Sequence, residues 1–308
     1  MVVDELLGEL RRMGVTLWEE DGRIRYDAPR SVLTPEVLDR VRAHRTAILQ
    51  RIRTGPDRPA ATGRPGRLRL RPLTPPGADP VLIVIPGAGV GPRAFGSWER
   101  QAPGGVEVVA VHLPGREELL GEVPYTRVEP LADRLADEIT SGYADRRCVL
   151  VGHSGGALIA AEVARRLPAD RLALLVAAAA VPPDLIDPDI LTASDEDLVA
   201  GMREHGGIPA EWATDPGALA AFLPAVRADL AVAVSCRREW TEADRLEVPL
   251  LALHGRADES VTGVHCDRWR RWTRAAVRVR ELDGDHFFPA RAGGAVMAEV
   301  RDFLGHGH

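Results

Sequence analysis

The stretch VLVGHSGGALIA, residues 149–160, places one serine between glycines, after an apolar run and before an alanine-rich one. Its central residues, Gly152 to Gly156 with Ser154 in the middle, fit the pattern G-x-S-x-G. In that pattern small residues let a strand and the following helix approach closely around a strained turn, which exposes the serine hydroxyl. The same glycines also fit a simple corner of an α/β sheet, so the motif alone leaves catalysis open.

Six near-continuous apolar runs surround this turn, as buried parallel strands require. They are VLIVI (81–85), VEVVAVHL (106–113), CVLVG (148–152), LALLVAAAA (172–180), PLLALHG (249–255) and VRVREL (277–282). Helical patterns such as LADRLADEIT and GALIAAEVARRL lie between them, and this alternation predicts a doubly wound α/β sheet. The serine follows the third run, and open α/β sheets place their sites at the carboxyl ends of strands.

A catalytic serine needs a base, and the base needs a carboxylate that orients it. Asp258 follows the fifth apolar run in RADES, and His286 follows the last run in DGDHFFP. The chain order serine, acid, histidine is the one used on sheets of this type. We therefore predict that Ser154, Asp258 and His286 form a catalytic triad.

Several residues are candidates for the carboxylate of the triad. Asp184 in VPPD follows the fourth run and is the second choice, and Glu259, Asp283 and Asp285 also lie near in sequence.

Acyl transfer passes through an oxyanion, which backbone N–H groups stabilise. Gly155 follows the nucleophile and supplies one donor, and we predict Ala88, in the loop IPGAGVG after the first run, as the second. The alternative for this loop is a phosphate cradle, but it lacks the Lys-Ser/Thr of a P-loop and a well-formed G-x-G-x-x-G.

Residues 79–305 resemble the type II thioesterases of nonribosomal peptide and polyketide synthases. The matching stretches are VIPGAGVGPRAFGSW, VHLPGREELLGEVPY, VGHSGGALIAAEVARRL, LHGRADESVT and WTRAAVRVRELDGDHFF. A segment at about residues 185–236, which includes LPAVRADL, resembles the helical lid of that family. Two departures are that Gly155 stands where Met is usual, and that VSCRREW stands where a tyrosine commonly follows the lid.

The resemblance implies an α/β-hydrolase fold with a helical lid over residues 79–308. It also implies a substrate held as a thioester on the phosphopantetheine arm of an acyl or peptidyl carrier protein, with no metal or organic cofactor. The usual role in the family is editing, which clears stalled acyl groups. A trans-acting enzyme that releases the product by hydrolysis or macrocyclisation is the alternative, and an inactive adaptor or a generic carboxylesterase fits the motifs less well.

Residues 1–53 predict a separate small unit, followed by a linker at 54–78 that is rich in Pro, Gly and Arg. Apolar residues at helical spacing near the start predict a first helix. The stretch VTLWEEDGRIRY then predicts a hairpin around Asp21-Gly22. This turn would pair Trp18 with Arg25 and Glu20 with Arg23 across the strands. A second helix begins after Thr34, a suitable N-cap, so the order is α-β-β-α.

This unit resembles the TubC-type docking domains of synthase subunits, on ELLGELRRMGVTLWEEDGRIRYDAP and LTPEVLDRVRAHRTAILQ. In that family the hairpin edge captures the acidic C-terminal tail of an upstream subunit. The resemblance implies that Arg23 and Arg25 contribute strand addition and charge pairing here. A solubilising appendage or a leftover fold is the alternative.

Composition limits the remaining classes of function. A net charge of −6 over 308 residues argues against a general nucleic-acid binder. Three scattered cysteines fit reduced thiols, and the acidic start MVVDELLGELRR has no signal-peptide pattern. The apolar run at 172–181 is too short to span a bilayer, so we expect a cytoplasmic protein without a membrane partner.

Overall fold

The computed structural model describes residues 2–13, 15–20, 23–27, 34–54, 65–204, 207–208 and 214–305. The N-terminal unit consists of helix α1 (Val2–Arg12), strands β1 (Thr16–Glu20) and β2 (Arg23–Asp27), and helices α2 (Pro35–Ala43) and α3 (Arg45–Thr54). Its small core is formed by the apolar face of α1 together with Val15, Val41 and Ile48.

The hairpin has the predicted antiparallel register, with Trp18 opposite Arg25 and Glu20 opposite Arg23. The Asp21-Gly22 turn itself lies outside the described residues. The helix that follows also begins as predicted, because the Thr34 side chain accepts a hydrogen bond from the Val37 N–H at 3.3 Å.

The second predicted helix is in fact two helices, which meet at His44. Backbone angles of φ −104° and ψ 13° interrupt the helix at this residue. No glycine or proline lies between residues 36 and 54, so the sequence carried none of the residues that usually mark such a break.

The larger unit is built on one seven-stranded sheet in the order β3-β5-β4-β6-β7-β8-β9. Its strands are β3 (Arg69–Pro72), β4 (Ala78–Ile85), β5 (Val106–His112), β6 (Cys148–His153), β7 (Leu172–Ala178), β8 (Leu250–Gly255) and β9 (Val277–Leu282). The strands β4 to β9 pair in parallel, which confirms the six apolar runs as strands of an α/β sheet. The fourth run leaves the strand at Ala178, two residues earlier than its apolar pattern indicates.

Strand β3 corrects the predicted linker at 54–78. It pairs antiparallel with β5, where Leu70 lies opposite Val111 and Pro72 opposite Val109. Leu68 just before it is 2% exposed and belongs to the main core. The strand is short, lies at the sheet edge and carries arginines and a proline, which are typical of protected edges and resemble linker composition.

Helices cover both faces of the sheet and include the lid between β7 and β8. They are α4 (Gly96–Gln101), α5 (Val128–Gly142), α6 (Gly155–Ala164), α7 (Asp195–Glu204), α8 (Pro216–Ser235), α9 (Gly263–Asp267), α10 (Phe288–Arg291) and α11 (Gly293–Gly305). Leu135 of α5 and Ile159 of α6 lie in the core on one face, and Trp98 of α4 and Val300 of α11 in the core on the other.

Helix α8 is the one described helix that is long and apolar enough to cross a membrane by length and composition. It carries Arg227, which pairs with Asp195 of α7, and its Val232 is buried in the same core cluster as α5 and α6. Through these contacts the helix packs on α7 and on the main core.

Candidate active site

Ser154 lies on the turn between β6 and α6 in a strained backbone conformation, with φ 52° and ψ −125°. The turn needs glycines on both sides of the serine. A Cβ on Gly152 would lie 2.2 Å from Ala157 Cα, and a Cβ on Gly156 would lie 2.3 Å from the carbonyl oxygen of Ile85. Strand and helix are thus so close that the serine side chain projects away from them, above the sheet.

The structure brings the three residues predicted as a triad together. His286 Nε2 lies 3.1 Å from Ser154 Oγ, and His286 Nδ1 lies 2.9 Å from Asp258 Oδ2. His286 follows β9 and Asp258 follows β8, so each comes from the carboxyl end of a strand. The imidazole therefore stands between a hydroxyl and a carboxylate, within hydrogen-bond reach of both.

Asp258 is held by several donors. Its Oδ1 accepts hydrogen bonds from the Ser260 N–H at 2.9 Å, the Ser260 hydroxyl at 2.6 Å and the Val261 N–H at 3.0 Å. Burial raises the pKa of this carboxyl, but the hydrogen bonds from His286 and Ser260 outweigh that effect and lower the pKa to about 2. Asp258 is therefore ionised at neutral pH, with its second oxygen free to accept from His286.

Ser260 is a residue that the sequence reasoning missed. Its hydroxyl lies 3.1 Å from His286 Nδ1 as well as 2.6 Å from Asp258, so it contacts two members of the predicted triad. The only sequence signal was its position two residues after Asp258, where an Asx-type turn brings backbone and side-chain donors to the carboxylate.

The competing acids have other partners. Asp184 accepts hydrogen bonds from Arg268 Nε at 3.1 Å and from Trp272 Nε1 at 3.3 Å, which ties the segment after β7 to the region around α9. Asp283 pairs with Arg256 at 2.6 Å, and Asp285 accepts from the Phe287 N–H at 2.9 Å. Glu259 is exposed.

His153, directly before the serine, supports the loop that carries His286. Its Nε2 donates a hydrogen bond to the carbonyl oxygen of His286 at 2.9 Å, and its ring meets that of Phe287 edge to face at 5.2 Å. Burial, together with the nearby His286, lowers the pKa of His153 to about 3, so this ring is neutral at physiological pH. Sequence reasoning had assigned it no role.

The two backbone groups predicted as oxyanion donors lie on either side of the serine turn. Gly155 is the first residue of α6, so its N–H has no acceptor within the helix. Ala88 lies in the loop after β4, and a Cβ on its neighbour Gly87 would be 3.2 Å from Ser154 Cβ. The next residue, Gly89, donates its N–H to Asp229 Oδ2 of α8 at 2.8 Å.

A cavity of about 730 Å³ opens between the Ala88 loop and the lid. Its wall is largely apolar and includes Val90, Leu120, Phe222, Ala225 and Phe287. Since Phe287 is the neighbour of His286 and Gly89 also lines the cavity, this space adjoins the Ser154 site.

One group among the described residues has the donor types for a metal ion, namely His112, Glu117 and Glu118, whose ligand atoms lie within 4.8 Å of one another. Arg93 pairs with Glu118 at 2.6 Å, and Arg71 lies 3.8 Å from both carboxylates. The acidic charge of this group is therefore already balanced by arginines.

Comparison with known proteins identifies the family. Residues 80–304 match the family described as thioesterase domain, and residues 3–52 match the TubC N-terminal docking domain. The chain belongs to the thioesterase family and carries a TubC-type docking domain at its N-terminus. The predicted family, the α/β-hydrolase fold and the class of activity, a serine hydrolase acting on thioesters, are confirmed.

Similar proteins from named biosynthetic pathways agree with this family assignment. The gramicidin S biosynthesis protein GrsT of Aneurinibacillus migulanus is 32% identical over 67% of this chain and 82% of that protein. The structure of YbtT, described as a type II thioesterase from the yersiniabactin NRPS/PKS pathway, is 27% identical with a TM-score of 0.71, and covers 77% of this chain and 98% of that one. RedJ, the thioesterase from the prodiginine pathway of Streptomyces coelicolor, is 32% identical with a TM-score of 0.65 over 82% of this chain and 98% of its own. The chain is a type II thioesterase.

Proposed function

We propose that this enzyme hydrolyses acyl groups from the phosphopantetheine arm of carrier proteins in a nonribosomal peptide or polyketide assembly line. Ser154 is the nucleophile, His286 the general base and Asp258 the carboxylate that orients the base. The observation that carries the proposal is the continuous chain of hydrogen bonds from Ser154 Oγ through both nitrogens of His286 to Asp258.

In the first step Ser154 Oγ attacks the thioester carbonyl while His286 Nε2 takes the hydroxyl proton. The N–H groups of Ala88 and Gly155 stabilise the oxyanion that forms on the carbonyl oxygen. The tetrahedral intermediate then breaks its C–S bond, and the pantetheine thiolate leaves with the proton from His286. Asp258, ionised and fixed by three donors, stabilises the imidazolium between these proton transfers.

In the second step His286 removes a proton from water, which attacks the acyl-serine ester. The same N–H groups hold the second oxyanion, and collapse returns the proton to Ser154 Oγ and frees the carboxylic acid. Every proton is held by a side chain of this protein, and the sequence of steps calls for no metal or organic cofactor.

Editing of stalled or wrongly primed acyl groups is the role that we favour. A second candidate is dedicated release, by hydrolysis or cyclisation, of the product carried by an upstream module. The docking domain over residues 3–52 favours that candidate, because a fixed partner suits one delivery step better than visits to many carriers.

For the docking unit we propose that the edge of β2 accepts the acidic C-terminal tail of an upstream subunit as an added strand. Arg23 and Arg25 stand on this strand, and their backbone positions alternate with Ile24, which packs on the small core. The enzyme would then work in the cytoplasm, beside the synthase that it serves.

The test uses carrier proteins loaded with acyl groups of different length and follows their release by intact-protein mass spectrometry. We expect the wild-type enzyme to return the carrier to its free-thiol form, and the Ser154→Ala variant to leave it acylated. Equal release by both proteins would refute the assignment of the nucleophile. Comparing aberrant short acyl groups with the full-length product separates editing from dedicated release.

A further inference from the structure

Two charged residues from the motifs LPGRE and LPAVRADL form a buried ion pair that the proposed steps do not use. Arg116 follows β5, and Asp229 lies on the lid helix α8. The guanidinium donates to both carboxylate oxygens, at 2.7 and 2.8 Å. The two side chains are only 5% and 11% exposed, so this bidentate pair is largely shielded from water.

The pair holds the loop that carries Ala88. Asp229 Oδ2 also accepts the N–H of Gly89 at 2.8 Å, and Arg116 donates to the carbonyl oxygen of Val90 at 3.1 Å. The Ala88–Gly89 and Val90–Gly91 peptide groups are therefore both bonded to one ion pair. Arg116 makes a further contact with the carbonyl oxygen of Pro114, at 3.4 Å, which anchors the pair to the body after β5.

The loop also lies directly against the lid helix. Gly89 has φ +71°, and a Cβ there would be 2.7 Å from atoms of both Phe222 and Val226 of α8. Ala88 thus sits between the fixed end of β4 and a glycine whose conformation depends on α8. Because Asp229 takes up the N–H of Gly89, the N–H of Ala88 is the one that this part of the loop can offer to a reacting carbonyl.

We propose that Asp229 and Arg116 are positioning residues that align the Ala88 N–H with the oxyanion only while helix α8 is seated on the body. This rests on the proposed role of Ala88 as an oxyanion donor. When α8 moves away, the loop loses the acceptor of the Gly89 N–H and the partner of Arg116 at the same time. The lid therefore controls the chemical step as well as access to the cavity.

The test compares Asp229→Asn with a matched control, Asp184→Asn, which also removes the charge of a buried, arginine-bonded aspartate. Removal of an oxyanion donor costs about 10²- to 10³-fold in kcat. Misalignment through Asp229→Asn is expected to cost about 10- to 100-fold in kcat on octanoyl-N-acetylcysteamine, with KM changed less than about twofold. Binding of an octyl trifluoromethyl ketone, whose hemiketal oxyanion occupies the same site, should weaken by a similar factor.

Hydrogen exchange gives a readout that does not depend on catalysis. In Asp229→Asn, peptides covering 86–95 and 216–235 should both exchange faster than in the wild type, whereas in Asp184→Asn they should not. The inference is overturned if kcat stays within twofold, if only KM changes, or if the control loses as much activity. Faster exchange in the loop alone also overturns it. If Ser154→Ala keeps wild-type turnover, the proposed function has failed, and the exchange data still decide whether the loop and the lid are locked together.

Discussion

Replacement of Asp258 by asparagine tests the site most sharply, because the amide has to choose between two sets of partners. Three donors, two from Ser260 and one from Val261, point at Oδ1, and His286 Nδ1 faces Oδ2. If the amide oxygen stays with the three donors, the NH₂ group faces Nδ1. Nδ1 then has to accept, the ring proton moves to Nε2, and His286 can no longer take the proton of Ser154.

The magnitude follows from these contacts. Flipping the amide would restore the hydrogen bond to His286 but break the three to Oδ1. The net loss is two hydrogen bonds, at about 1 kcal/mol each. Loss of the negative charge beside the imidazolium adds roughly 1.5–3 kcal/mol, the value of a charge-assisted hydrogen bond. Together these effects amount to roughly 3.5–5 kcal/mol, or about two and a half to four orders of magnitude in kcat. Loss of this carboxylate from a Ser-His-Asp triad is known to cost roughly 10⁴-fold.

The assay is steady-state hydrolysis of octanoyl-N-acetylcysteamine, with Asp184→Asn as the control. We expect the Asp258 variant to lose kcat by these orders of magnitude and the Asp184 variant to stay close to wild type. A loss below tenfold for Asp258→Asn would refute the tautomer argument. A larger loss for Asp184→Asn would place the acid after β7 instead.

The remaining predictions concern the nucleophile, the buried histidine and the docking unit. Ser154→Ala should abolish turnover, by several orders of magnitude in kcat, with little change in melting temperature, since the half-buried side chain loses only its hydroxyl and one hydrogen bond to His286. Between pH 6.5 and pH 3 the unfolded chain protonates His153 while the folded protein, with its pKa of about 3, does not, so stability falls as the pH drops. Urea unfolding should show a loss of about 2 kcal/mol from this group between pH 7 and pH 5, and His153→Gln should remove that part of the pH dependence. Deletion of residues 1–64 should leave hydrolysis of a free thioester nearly unchanged and weaken turnover on the cognate upstream subunit, and Arg23→Glu with Arg25→Glu should do the same. In the wild type, added salt should lower the second activity and spare the first; an equal loss of both activities on deletion would refute the docking proposal.

The parallel strands and the placement of the site residues could be predicted because each depends on a local pattern. Long apolar runs identify buried strands, and residues that follow those runs must lie at one edge of the sheet. That reasoning placed Asp258 and His286 beside Ser154. The same reasoning could not exclude Asp184 as the acid, because that residue also follows a strand. Only its contacts with Arg268 and Trp272 in the structure show that it has other partners.

What the sequence did not predict depends on contacts between distant residues. Arg116 and Asp229 are 113 positions apart in the chain. In the sequence, each is typical of an exposed charged residue. Strand β3 is four residues long and carries the composition of a linker, so only its pairing with β5 identifies it. Because of that pairing, the deletion above ends before Pro65 and keeps Leu68 in the core.

The segment that connects the two units limits how far apart they can lie. Helix α3 ends at Thr54, and the described chain resumes at Pro65, ten residues intervening. A chain of this length can span at most about 40 Å even when fully extended. Under the docking proposal, this segment therefore bounds how far the catalytic body can lie from the docked partner. The length of one short segment thereby limits which carriers of a docked synthase this active site can reach.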